Sequence, residues 1–110
     1  MSELSARVRI PERARRGEVV EIRTLASHPM ETGFRLDTDG HRVPRNLIDR
    51  VTCRYAGRTV FDATLRPAIA ANPYLSFRFV ADVSGEVELT WHEDTGATLT
   101  ERGHLEVEDP

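Results

Sequence analysis

The chain has 110 residues, 39% of them apolar, and its 15 arginines, no lysines and 18 acids leave a net charge of −3. That length is one domain with a core of moderate size. The acidic balance excludes a general nucleic-acid binder, which needs a basic face for phosphates, and no apolar run reaches the length of a membrane span.

The first seven residues have no apolar h-region, so no signal peptide is expected. Alternation of apolar and polar residues, the mark of a strand with one buried and one wet face, then recurs along the chain. Val8 and Ile10 alternate with Arg7 and Arg9, and Val20 and Ile22 with Glu21 and Arg23. Val51, Cys53 and Tyr55 form the next set, followed by Phe61, Ala63 and Leu65. Leu75, Phe77, Phe79 and Ala81, then Val87, Leu89 and Trp91, and finally Leu105 and Val107 complete the series. Arg13-Ala14-Arg15-Arg16 reads as a solvated turn before Gly17. Ala56-Gly57, Ser84-Gly85 and Asp94-Thr95-Gly96 read as tight hairpin turns. The pattern predicts an all-β fold: an immunoglobulin-like antiparallel β-sandwich of about seven strands, without a disulfide, in a single domain 1–110. Cys53 and Trp91 fall on inward positions and are expected in the core.

Two stretches do not alternate, residues 27–49 and 66–73. Long irregular connections in a compact domain are uncommon and tend to carry function. The first is expected to hold a short hairpin turning at Asp37-Thr38-Asp39-Gly40. The second is bracketed by Pro67 and Pro73, with Ala68-Ile69-Ala70-Ala71 able to make one helical turn. Charge is also uneven. Residues 1–66 hold 13 arginines against 9 acids, a net +4, and residues 67–110 hold 2 against 9, a net −7. A charged interaction face and a simple alternation across neighbouring strands both fit that asymmetry.

No catalytic constellation emerges, so no catalytic residue, cofactor or metal is assigned. Cys53 is the only thiol; among apolar neighbours it is expected to be inert. His28, His41, His92 and His104 lack the spacing of zinc ligand pairs. Ser27 and His28 are adjacent on an extended chain and point apart. The Asp37-Thr38-Asp39-Gly40 stretch fails as a calcium loop, because Arg35 and Asn46 occupy positions that need acids. What remains is a binding module that presents irregular loops.

Three segments then gain significance: Ser27-His28-Pro29-Met30-Glu31-Thr32-Gly33, Val51-Thr52-Cys53-Arg54-Tyr55-Ala56-Gly57 and Pro67-Ala68-Ile69-Ala70-Ala71-Asn72-Pro73-Tyr74. In this order and spacing they resemble the SoxZ family of sulfur-oxidation proteins, over about residues 7–107. The resemblance implies a β-sandwich that is not an enzyme. It implies a heterodimer with a SoxY-type carrier in periplasmic thiosulfate oxidation, and export by association with that signal-bearing partner. The carrier cysteine belongs to SoxY, on a C-terminal arm that this chain, ending Leu105-Glu106-Val107-Glu108-Asp109-Pro110, does not have. The implied role is to bind SoxY, help present its arm, and make transient contacts with other Sox enzymes. His28, Met30, Glu31, Phe34, Arg35, Arg45, Asn72 and Tyr74 are the candidate interface residues. A carrier subunit of another periplasmic pathway, such as one associated with quinoprotein dehydrogenases, stays open. So do a small hydrolase or metalloprotein built on Cys53 and the histidines, and a homodimer when the chain is produced alone.

Overall fold

The computed structural model describes residues 4–65 and 72–110. The one-turn helix expected at residues 68–71 lies outside them. Eight strands follow in order: β1 Ser5–Arg9, β2 Arg13–Arg15, β3 Val19–Ser27, β4 Ile48–Tyr55, β5 Arg58–Thr64, β6 Tyr74–Val80, β7 Gly85–Glu93 and β8 Thr98–Glu108. They form a three-stranded sheet in the order β1-β3-β6 and a five-stranded sheet in the order β2-β8-β7-β4-β5. This is the expected sandwich with one more strand. Among the described residues there is no helix and no disulfide, and Cys53 is a free thiol.

Inward residues of both sheets interdigitate, as two stacked sheets require. Val20 and Ile22 of β3 and Phe79 of β6 meet Val51, Cys53, Tyr55, Val87, Leu89, Trp91 and Leu105 of the larger sheet. The rings of Tyr55 and Phe79 lie 4.6 Å apart, and Phe61 stacks on Phe77 at 4.2 Å. These contacts clamp the β6 side of the small sheet over β4 and β5. On the opposite side Gly103 of β8 lets Ile10 approach closely, since a Cβ there would stand 2.9 Å from its Cδ1.

Two sequence expectations are corrected. The arginine cluster at residues 13–16 is a turn only at its end, where Arg16 and Gly17 follow the strand: β2 pairs in parallel with the end of β8, where Arg13 meets Glu108 at 2.8 Å and Arg16 meets Asp109 at 2.8 Å. Opposite charges on adjacent strands made strand pairing available to a segment that reads as solvated. Ser84-Gly85 is not a hairpin turn either, because it carries the chain from β6 in one sheet to β7 in the other. Ala56 and Gly57 do form the β4–β5 turn, both with positive φ. The loop after β6 is fixed by the Tyr55 hydroxyl, which accepts from the N–H groups of Asp82 and Val83 and donates to the Val83 carbonyl.

Candidate functional site

The two irregular motifs meet at one end of the sandwich. The His28 N–H donates to Asn72 Oδ1 at 2.9 Å, and the Asn72 N–H donates back to the His28 carbonyl at 3.2 Å. One residue pair on, the Ala26 N–H donates to the Pro73 carbonyl at 3.0 Å. These bonds extend the β3–β6 ladder past Leu25 and Tyr74 into the loops. Asn72 adopts φ 55°, a left-handed conformation that asparagine tolerates better than most residues.

His28 then turns inward, with its side chain fully buried. Its Nδ1 accepts the Met30 N–H at 2.9 Å, so the ring proton sits on Nε2 and is donated to Glu93 Oε2 at 3.2 Å. Glu93 is at the end of β7 with its side chain 3% exposed. Met30 takes a positive φ of 53°, and its buried sulfur accepts the Ile48 N–H at 3.4 Å. The histidine imposes that bend at Met30 and ties the loop root to the larger sheet.

Beyond this root the chain makes the expected hairpin. Glu31 and Asn46 exchange backbone bonds at 2.8 Å, Leu36 pairs with Arg42, and Asp37 caps the turn by accepting from the N–H groups of Asp39 and His41. Phe34 and Leu36 project from it, 76% and 57% exposed. The Arg42 guanidinium lies 5.9 Å from the Phe34 ring centre. Arg35 grips Glu31 with contacts of 2.6 to 3.1 Å and holds that carboxyl below its ordinary range. Arg45 binds Asp94 at 2.9 Å, while the other Asp94 oxygen accepts the Leu47 N–H. Tyr74, at the start of β6, is 59% exposed beside Leu25 at 45%.

The candidate residues therefore divide. His28 and Met30 are buried, Asn72 is the bridge between the loops, Glu31 is half-buried under Arg35, and Phe34, Arg35, Arg45 and Tyr74 present surface. Two residues that sequence reasoning passed over matter as much. Glu93 continues the inward series Val87, Leu89, Trp91 by one step, so the period itself aimed this acid at the core. Leu36 lay in a segment without a periodic signal.

Cys53 has no exposed surface, and burial pushes its thiol up to about 12, which keeps it protonated and unreactive. Trp91 is 1% exposed. Among the described residues, Asp37, Asp39 and His41 are the one grouping close enough to share a cation. All three are exposed, and one Asp37 oxygen is already engaged by two backbone donors.

Solved structures place the fold. A superoxide reductase (neelaredoxin) from Ignicoccus hospitalis superposes with a TM-score of 0.64 at 14% identity, over 94% of this chain and 80% of that one. Its T24K variant gives a TM-score of 0.71 at 13% identity with the same coverage. The sulfur carrier protein SoxY from Chlorobium limicola f thiosulfatophilum gives 0.62 at 13% identity, over 98% of this chain and 81% of that one. At these identities the likeness is one of fold alone. No curated protein matches the chain in sequence. The sequence profile of the sulphur oxidation protein SoxZ matches residues 8–104, which includes every strand from β2 to β7 and both ends of the loop joint. The chain belongs to the SoxZ family of sulfur-oxidation proteins.

Proposed function

We propose that this chain is the non-carrier subunit of a SoxYZ-type sulfur carrier. It binds a SoxY-type chain as a heterodimer and helps present the partner's cysteine-bearing arm to the sulfur-oxidising enzymes. It makes and breaks no bonds itself, and it works in the periplasm, which it reaches in company with its signal-bearing partner.

The observation that carries the reading is where the large exposed apolar groups stand. Phe34 and Leu36 follow the first motif on its hairpin and Tyr74 ends the second, 57 to 76% exposed, on a root held rigid by His28, Met30 and Asn72 in a family member. Aromatic anchors rimmed by charge are what a specific protein interface needs at its centre. Arg35 and Arg45 are anchored by their own acids and form the rim.

Co-expression with the SoxY-type chain of the same source, followed by size-exclusion chromatography with mass determination, tests the reading. A one-to-one complex is expected. Replacing Phe34 and Leu36 by Asp is expected to weaken it at least about 30-fold, since two hot-spot side chains each contribute about 1–2 kcal/mol. Thermal stability is expected to stay near that of the parent, because both side chains are exposed. Failure to form any complex, or an affinity indifferent to both substitutions, overturns the interface assignment.

A further inference from the structure

The register of the three-stranded sheet gathers a charge that the sequence disperses. On its outer face Arg9 stands opposite Arg23, Arg7 opposite Leu25, and Glu21 opposite Arg78. Four arginines thus share this face with one acid, a local +3 on a chain whose net charge is −3. Glu21 is held by Arg23 at 2.5 Å and Arg78 at 3.3 Å. Among the described residues Arg7 and Arg9 have no ion-pair partner.

The outer face of the five-stranded sheet is different. There Arg50, Arg54 and Arg102 are offset by Asp62, Glu86 and Glu88, and two of these pairs are closed, Arg50 with Asp62 at 2.7 Å and Arg102 with Glu86 at 3.1 Å. Charge is balanced on one face and left over on the other.

The cationic field is framed by apolar pairs. Leu25 and Tyr74 close one end, and Val19 and Val80, 59% and 53% exposed, close the other. Six residues of strand separate the ends, about 20 Å at 3.3 Å per residue. Shallow depressions open beside the arginines, one along Val19, Glu21, Arg23 and Arg78, another along Arg7, Leu25 and Asn72.

We propose that this face docks an acidic polypeptide segment, whose carboxylates meet Arg7, Arg9, Arg23 and Arg78 and whose apolar side chains meet the framing pairs. Guanidinium groups bind carboxylates in a directional fork. The apolar frame and the built-in Glu21 suit a peptide better than a phosphate polymer. The net negative charge of the whole chain also repels long polyanions. This face shares Tyr74 with the proposed heterodimer surface but draws its charge from Arg7, Arg9, Arg23 and Arg78, and its test uses the chain alone, so it does not depend on that reading.

The test uses the full chain, isotope-labelled for NMR, with three probes: a synthetic Asp/Glu-rich peptide of about eight residues bearing a terminal Leu and Phe, a heparin fragment, and phosphatidylglycerol vesicles. The peptide is expected to shift amides of β1, β3 and β6, with affinity falling at least about tenfold between about 20 and 200 mM salt. Arg7→Ser with Arg9→Ser is expected to weaken it about three- to tenfold, as two exposed charge pairs warrant. Arg7→Lys with Arg9→Lys is expected to hold it within about threefold. Absence of shifts, shifts confined to the five-stranded sheet, or indifference to the serine pair overturns the proposal. Tighter binding of the heparin fragment or the vesicles than of the peptide overturns it too.

Discussion

Replacing His28 by Ala tests whether the first motif is a joint or a surface. The imidazole is fully buried and makes two bonds, one accepting the Met30 N–H and one donating to a Glu93 carboxylate that is itself 3% exposed. A neutral hydrogen bond is worth about 1 kcal/mol and one to a charged group about 1.5–3 kcal/mol. The vacated ring volume adds a packing cost, since buried large-to-small changes leave cavities. The sum is about 3–5 kcal/mol, a large part of the roughly 5–15 kcal/mol that holds a domain folded. Trp91, the single tryptophan and 1% exposed, reports unfolding by fluorescence. With a urea slope of about 1.5 kcal/mol/M, the midpoint is expected to fall by about 2–3 M. His28→Asn offers an amide oxygen near the position of Nδ1 and is expected to recover about 1 kcal/mol through the Met30 N–H. A loss below about 1 kcal/mol for His28→Ala, with the slope unchanged, would refute the joint and return His28 to the surface.

Tyr55→Phe removes a hydroxyl that serves three backbone groups of residues 82–83 and is expected to cost about 2–4 kcal/mol in the same urea assay. Cys53 is expected to resist aromatic disulfide reagents in the folded chain and react at once in denaturant. Its folded pKa of about 12 lies above the ordinary 9.0, so the unfolded chain loses its thiol proton first; stability present below pH 9.0 is lost as pH rises toward 12, measurable as a falling Tm. The carboxyls of Glu21, Glu31, Asp62 and Asp82 are held low by Arg23, Arg35, Arg50 and Arg58. They stabilise the fold above the ordinary values of 3.8 to 4.5, and that contribution disappears as pH falls below them, so acid unfolding is expected to steepen there and to soften in high salt.

Period-two alternation made most of the fold legible, because both sheets bury one face and expose the other. The inward residues from Val20 to Leu105 were named by their spacing. The strand β2 escaped, since three residues with two arginines carry no apolar signal; its stability comes from Glu106 and Glu108, more than ninety positions away. The first half of β8 escaped for a related reason. Its inward positions 99, 101 and 103 hold Leu, Glu and Gly, so the apolar period breaks after one residue, and its pairing with β7 supplies the order. The hairpin turn at residues 37–40 was readable from turn chemistry alone. The partnership of His28 with Asn72 and Glu93 was not, because no local pattern couples residues 44 and 65 positions apart.

That partnership changes what the motif residues mean. A buried histidine bonded to a buried carboxylate is costly to maintain, and apolar side chains would fill the same space at less risk. What the imidazole adds is direction, since Nδ1 bends the chain at Met30, while the His28 main chain, bonded to Asn72 Oδ1 and to the Asn72 N–H, fixes where Tyr74 begins its strand. Two loops far apart in sequence are thereby set in one arrangement, with Phe34 and Tyr74 carried outward on them. A rigid loop root lowers the ordering cost of binding, since less freedom remains to be lost. The residues that make the motif recognisable are thus mainly those that hold the surface in place, while the side chains offered to a partner are their more ordinary neighbours. Weakening the joint is therefore expected to lower partner affinity through loop disorder, and truncating Phe34 to lower it with the fold intact.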